Sequence, residues 1–323
     1  MPLVATMLIL ASSIALFLGC FSGLTYVSKE KEDLKTLSNF LGLISFFLVT
    51  SLSILLFYYF FTDNFGILYV YKYSSADLKW YYKLSAFWAG KEGTILLWIW
   101  FILLFYVFLL RIESKNEFVY WTTKVLILMV ALIFILAMKK YSDPFQQIFP
   151  EPKSGYGLNP LLKDPWMIIH PPITFLGYAA STVPFAASIS HLIFVLRGLI
   201  GGEKIDDSNT DWEEIARPFA RWGWLFLSLG IAIGGFWSYK VLGWGGFWAW
   251  DPVETASLVP WLIWSGYLHS STLLRSMKMR GDESTRILNP LSMFLAVLCF
   301  VLVIFATLAT RSGLFRDISP HSF

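Results

Sequence analysis

The sequence predicts an all-α, polytopic transmembrane helical bundle of about eight spans with both termini outside. Three observations carry this. Of the 323 residues, 56 % are hydrophobic and only 15 % charged, which excludes an ordinary soluble domain of this size. Several apolar runs approach 20 residues, enough to cross a hydrocarbon core of about 30 Å as helices. Lysines and arginines are densest for their length in the loops at 28–39, 111–123, 197–221 and 275–286, which marks that side as inner. The net charge of +3 identifies no partner, and nothing in the composition points to nucleic acid.

Taken in order, the predicted spans cover about 3–27, 40–62, 94–110, 124–138, 173–196, 222–239, 253–274 and 287–310. The first lacks a basic n-region and a small-residue cleavage site, so it reads as a retained helix. The second and eighth are the clearest, and Pro260 is expected to kink the seventh. The outer side then holds the 63–93 loop, the 139–172 loop with its HPP triplet, a Trp-rich stretch at 240–262 and the tail 311–323. Inner loops are short and polar, and DDSNTDWEE at 206–214 reads as a solvated acidic turn. Residues 1–323 form one integral membrane domain without a linker or internal repeat. Cys20 and Cys299 lie far apart in apolar segments, which speaks against thiol exchange or a structural metal.

The Trp-rich stretch, KVLGWGGFWAWDPVETASLVPWL, is the chain's centre of interest. Trp244, Gly245, Gly246, Phe247, Trp248, Trp250 and Asp251 fall within eight positions. Indole rings suit a membrane–water interface, and neighbouring glycines let a flat ligand approach the backbone. Asp251, Pro252 and Glu254 occupy the cap, first and capping-box positions of a following helix. Read as composition alone, the cluster is an interfacial anchor. Upstream, KLSAFWAGKEGTILLW at 83–98 sets Phe87, Trp88, Lys91, Glu92 and Gly93 just outside the third span, where the charged pair alone reads as an exposed turn.

Four histidines can be judged singly. His170, in NPLLKDPWMIIHPP, lies at the outer edge of the fifth span, and the two prolines after it imply extended, stiff backbone with the helix starting just beyond. His321, in RSGLFRDISPHSF, follows the eighth span on the same side. These two share the face of the Trp-rich stretch and are the pair that can clamp an iron beside it. His269 in the seventh span and His191 in the fifth sit at matching depth. An ionisable ring within a span is a functional candidate; the bland alternative is a bond to serine or a helix carbonyl.

WGGFWAWDPVE resembles the WWD signature of haem-handling membrane proteins that mature c-type cytochromes. Together with SAFWAGKEGTILLW, NPLLKDPWMIIHPP and RSGLFRDISPHS, in this order from about residue 80 to the end, it resembles the CcmF family, haem lyase subunits of the multi-component maturation pathway. The resemblance implies that His170 and His321 ligate incoming haem iron, and that Trp244 to Glu254 receive the haem edge and its vinyl groups. It implies that His269 is one axial ligand of a resident haem b. His191 matches no family ligand, and its depth alone makes it a candidate second one. The implied partners are a haem carrier of CcmE type, apocytochrome c with thiol or chaperone subunits of CcmH type, and a separate C-terminal CcmF-like chain, because the family chain is about twice as long. The implied setting is the cytoplasmic (inner) membrane with the active face periplasmic. The function expected is presentation of haem for thioether attachment to a CxxCH pair, with no catalytic acid or base standing out. The alternatives are a haem exporter, or a structural subunit with the tryptophans as anchor.

Overall fold

Among the residues described by the structure, a computed structural model covering 2–29, 31–202, 211–243, 246–282, 284–313 and 319, the apolar runs become eleven α-helices. They are α1 Pro2–Lys29, α2 Glu32–Phe61, the short α3 Leu68–Tyr73 and α4 Trp80–Ala86, α5 Lys91–Leu109, α6 Glu117–Tyr141, α7 Pro165–Ala180, α8 Thr182–Gly201, α9 Asp211–Val241, α10 Pro252–Arg280 and α11 Thr285–Arg311. Helices run past the apolar segments at most ends, because the flanking charged turns also complete backbone hydrogen bonds. Seven stretches are long and apolar enough to cross a membrane: α1, α2, α5, α6, the α7–α8 pair, α9 and α11. The remaining predicted span is α10, 29 residues long but carrying Glu254, His269 and a series of serines. Its polarity sets it apart.

One expectation fails at the HPP triplet. The loop ends at Asp164, and His170, Pro171 and Pro172 all lie inside α7. Asp164 caps the helix by accepting from the Trp166 N–H, and Pro165 takes the first position, where a missing N–H costs nothing. Pro171 cannot donate to the carbonyl four residues back, which is that of Met167. The indole Nε1 of Trp88 donates to that oxygen at 3.1 Å instead. A side chain from a distant loop thus replaces the lost helical bond, and the helix continues.

A second expectation fails at the other end. Residues 203–210 lie outside the described part, but the rest of the predicted acidic turn is the start of α9. Trp212 is fully buried there, and buried Glu213 accepts from Tyr267 and Ser271 of α10.

Helices α7 and α9 pack side by side, α10 and α11 pair, and α1, α2 and α6 make the opposite flank. At one end the two long loops are stitched together: Leu68 N–H donates to Gln146 O at 2.8 Å, Ile148 N–H to Gly66 O at 3.0 Å and Tyr156 N–H to Tyr71 O at 2.8 Å. The start of α7, the end of α9, the start of α10 and the end of α11 meet at that same end, around one cavity. The other end is basic, with Lys115, Arg217, Arg221, Arg275 and Lys278 around a cavity of about 580 Å³. The fold therefore separates an aromatic end from a cationic one.

Candidate functional site

His170 is positioned by the seam between α7 and α9. Its Nδ1 lies 2.8 Å from the Gly230 carbonyl, and because a carbonyl only accepts, Nδ1 carries the proton. The lone pair then belongs to Nε2, the arrangement that second-shell carbonyls impose on metal-binding imidazoles. Thr174, one turn on, stands 3.3 Å from the same nitrogen. The ring lies so close to α9 that a Cβ on Gly234 would sit 2.5 Å from its Cε1. Only glycine lets helix backbone and imidazole approach this far. Lys240 at the end of α9 pairs with Asp164 at 3.1 Å, and Trp166 meets Phe236 edge-on, so both ends of this turn of α7 are tied to α9.

His170 lines a cavity of about 100 Å³ together with Thr174, Tyr178, Trp237, Trp248, Glu254 and Arg311. The Trp-rich segment closes it through Trp248. Asp251 caps α10 by accepting from the Val253 N–H at 2.9 Å, as the sequence predicts. Glu254 reaches past the cap: its two oxygens accept from Ser238 at 3.2 Å and from the Ala249 N–H at 3.1 Å. That carboxylate organises the segment leading into α10. Trp248 faces the cavity, whereas Trp250 is 71 % exposed with φ of 56° and meets Trp248 edge-on at 6.0 Å. A bulky residue at positive φ is strained by roughly 1–3 kcal/mol. The strain holds an indole outward.

The WAGKEG loop braces this site from behind, through Trp88 on Met167 O and Ala89 O on Arg311, while its charged pair stands at a separate surface pocket. Phe87, Trp88 and Ala89 are buried, although Lys91 is exposed. The Tyr69 hydroxyl donates to Phe87 O at 2.9 Å and accepts from the Gly90 N–H at 3.0 Å, and burial pushes its pKa well up, so it stays a donor. Gly93 is required because a Cβ there would overlap the Phe87 carbonyl. Arg311 Nη1 donates to Ala89 O at 3.4 Å, joining loop, α11 and cavity.

Of the other predicted site residues, Trp244, Gly245 and His321 lie outside the described residues, and Gly246 is partly buried in the segment before α10. Ser319, two positions before His321 in the sequence, is buried and donates to Asp251 at 2.8 Å. His269 is exposed on α10, its Nδ1 2.8 Å from the Ser265 carbonyl. His191 is buried beside Phe194 and Trp212, in a cavity between α8 and α11 to which α10 contributes no residue. The structure brings His170, Trp248 and Glu254 around one cavity, while His191 lines a second and His269 lines neither. Sequence reasoning missed Trp88, Thr174, Gly234 and Arg311 as site residues; for Trp88 the signal was a helix-internal proline without a local remedy.

The sequence profile described as "Cytochrome C assembly protein" matches residues 88–315. The chain is 36 % identical over 269 residues to "Cytochrome c-type biogenesis protein CcmF" of Pseudomonas fluorescens, covering 82 % of this chain and 37 % of that one. It is 32 % identical over 320 residues to the CcmF of Escherichia coli strain K12, covering 98 % of this chain and 46 % of that one. A solved structure, "Cytochrome c Heme Lyase CcmF", superposes with a TM-score of 0.71 at 23 % identity, covering 99 % of this chain and 52 % of that one. This chain thus spans less than half the length of these two relatives.

Proposed function

The chain belongs to the cytochrome c assembly protein family, and from that premise we propose that it serves cytochrome c maturation by receiving haem at the aromatic end and presenting it for attachment. The observation that carries this reading is His170, an imidazole with its Nδ1 proton committed to Gly230, in a cavity walled by Trp248. Among the described residues no group of three His, Cys, Asp or Glu can hold a bare metal ion. A single imidazole beside indoles suits an iron that arrives already held by a macrocycle.

The haem is substrate here. A carrier of CcmE type delivers it, Nε2 of His170 ligates the iron, and His321, two positions after the Ser319 that bonds Asp251, is the second ligand. Trp244, Trp248 and Trp250, with Gly245 and Gly246 allowing close approach, support the porphyrin. Each thiol of an apocytochrome CxxCH pair, brought by subunits of CcmH type, then adds across a vinyl group: sulfur bonds one vinyl carbon and its proton ends on the other. This chain positions the reactants, which removes much of an entropic barrier. Asp251 and Glu254 shape the entry into α10 and are not assigned a proton-transfer role.

His269 is the candidate ligand of a resident haem b, which would supply electrons to keep incoming iron reduced. Its Nδ1–H is held by Ser265 and its ring is exposed, which fits a ligand completed from outside this helix group. We assign the second ligand to a separate C-terminal CcmF-like chain in preference to His191, which is buried elsewhere. The membrane is the cytoplasmic one, with the aromatic end periplasmic and the basic end inside.

The test is a reduced-minus-oxidised spectrum of the chain purified from haem-making cells, alone and with the carrier present, for wild type and for His170→Ala, His321→Ala and His269→Ala. Carrier-delivered haem should be lost in the His170 and His321 variants and kept in the His269 variant. A carrier-dependent spectrum untouched by His170→Ala would sink the proposal.

A further inference from the structure

The cationic end holds a cavity of about 580 Å³ between the start of α9 and the end of α10. Arg217 and Arg221 line it from consecutive turns of α9, Arg275 and Lys278 from consecutive turns of α10, and Lys115 from the loop before α6. Arg217 feels the charge of both Arg221 and Arg275. Among the described residues no carboxylate lies within 4.0 Å of these three guanidiniums. Arg217 donates to the Thr272 hydroxyl at 3.2 Å, which is a neutral partner. Two carboxylates share the cavity. Buried Glu213 accepts from Tyr267 and Ser271 and offsets part of the charge on Arg217, and Glu214 pairs with Lys115 at 3.9 Å. Five cations therefore face two carboxylates.

Basic residues at the rim of a membrane protein are ordinary, and spread over loops they are simply solvated. Convergence from three elements on one cavity is different, because it crowds like charges whose repulsion an anion would relieve. The same cavity borders apolar surface. Pro218 and Met279 line it, and both are exposed. Beyond Pro218 the exposed side chains of Trp222, Leu225 and Leu229 follow at helical spacing on one face of α9. From Pro218 to Leu229 the helix rises about 16 Å, close to half of a hydrocarbon core of about 30 Å.

We propose that this cavity binds an anionic phospholipid, with the phosphate among Arg217, Arg221 and Arg275 and an acyl chain along Trp222, Leu225 and Leu229. A guanidinium holds a phosphate through two parallel N–H bonds, which a lysine cannot do. Basic pockets between membrane helices recognise lipid headgroups in this way. A free phosphate would use the cations and leave the apolar stripe idle. A zwitterionic lipid would use the stripe but bring its own cation into a cationic pocket. An anionic lipid satisfies both. The site lies at the end of the bundle opposite His170, so it stands or falls independently of the haem reading.

The experiment titrates the full chain, in a neutral detergent, with labelled phosphatidylglycerol and separately with phosphatidylcholine of the same acyl chains. Wild type should prefer phosphatidylglycerol by about tenfold or more. Arg221→Gln combined with Arg275→Gln should erase the preference and keep phosphatidylcholine binding, which shows that the variant is folded. Lys29→Gln combined with Arg111→Gln, at the same end but outside the cavity, should leave the preference intact. Trp222→Ala combined with Leu225→Ala should weaken both lipids severalfold. A wild type without preference overturns the site, as does a cavity variant that keeps the preference or loses both lipids equally. Equal loss in the Lys29 and Arg111 variant also overturns it, because the attraction would then belong to the whole basic end. Displacement of the lipid by equimolar inorganic phosphate, or lipid affinity untouched by the Trp222 and Leu225 changes, would make this a soluble-phosphate site and end the lipid proposal.

Discussion

His170 and His269 show the same imidazole chemistry in two different settings. Each has Nδ1 at 2.8 Å from a backbone carbonyl, so each keeps its lone pair on Nε2. The carbonyls differ in origin. His269 uses Ser265, one turn earlier on its own helix, whereas His170 uses Gly230 on the neighbouring α9. The orientation of His269 is therefore a property of one helix, and that of His170 a property of the packing of two. The first ring is exposed and awaits a covering surface; the second is partly enclosed with its cavity already formed. Local and tertiary positioning of the same group should fail under different mutations.

Gly234→Ala should separate them most sharply. The new Cβ would sit 2.5 Å from His170 Cε1, so ring or helix must shift. Overpacking of this kind costs about 1–3 kcal/mol. Carrier-delivered haem should weaken about tenfold or more while any His269-dependent spectrum is unchanged; equal loss of both would show that the two settings are not independent. Trp88→Phe is a gentler probe. It keeps the buried ring but strips Met167 O of its donor, at about 1–2 kcal/mol in thermal unfolding. The His170 spectrum should broaden or shift, and an unchanged melting curve would mean that water replaces the indole. Lys240→Ala should matter least. Its partner Asp164 keeps its cap to Trp166, and Lys240 itself is 49 % exposed on its side chain, so less than about 1 kcal/mol is expected. A larger effect would show that the α7–α9 seam depends on this ion pair.

Much of this was legible in the sequence, for reasons that can be named. The helical spans follow from apolar runs, and the Asp251–Pro252 cap follows from local rules that need only neighbouring residues. His170 was placed at the correct end because it lies between a long loop and an apolar run. Its backbone was not, since the remedy for Pro171 is a side chain 79 residues before Met167, whose carbonyl it takes. Arg311 gave no signal of its own: an arginine after an apolar run looks like any helix end, and only the fold sets it opposite His170. Trp212 and Glu213 were misread because a run of acidic residues resembles a turn, whereas Tyr267 and Ser271 give Glu213 buried donors. Polar α10 was expected as one span among eight; its length agrees, and its serines and His269 set it apart from the seven apolar ones.

The bond from Trp88 to the Met167 carbonyl also bears on the order in which the protein takes shape. Synthesis proceeds from the N-terminus, and earlier segments tend to organise first. The loop that carries Trp88 leaves the ribosome before α7 does, so the donor is already waiting when the HPP turn emerges. A chain permuted to start after that loop would make the turn before its donor exists, and the segment bearing His170 would then stay frayed until the late arrival of the loop.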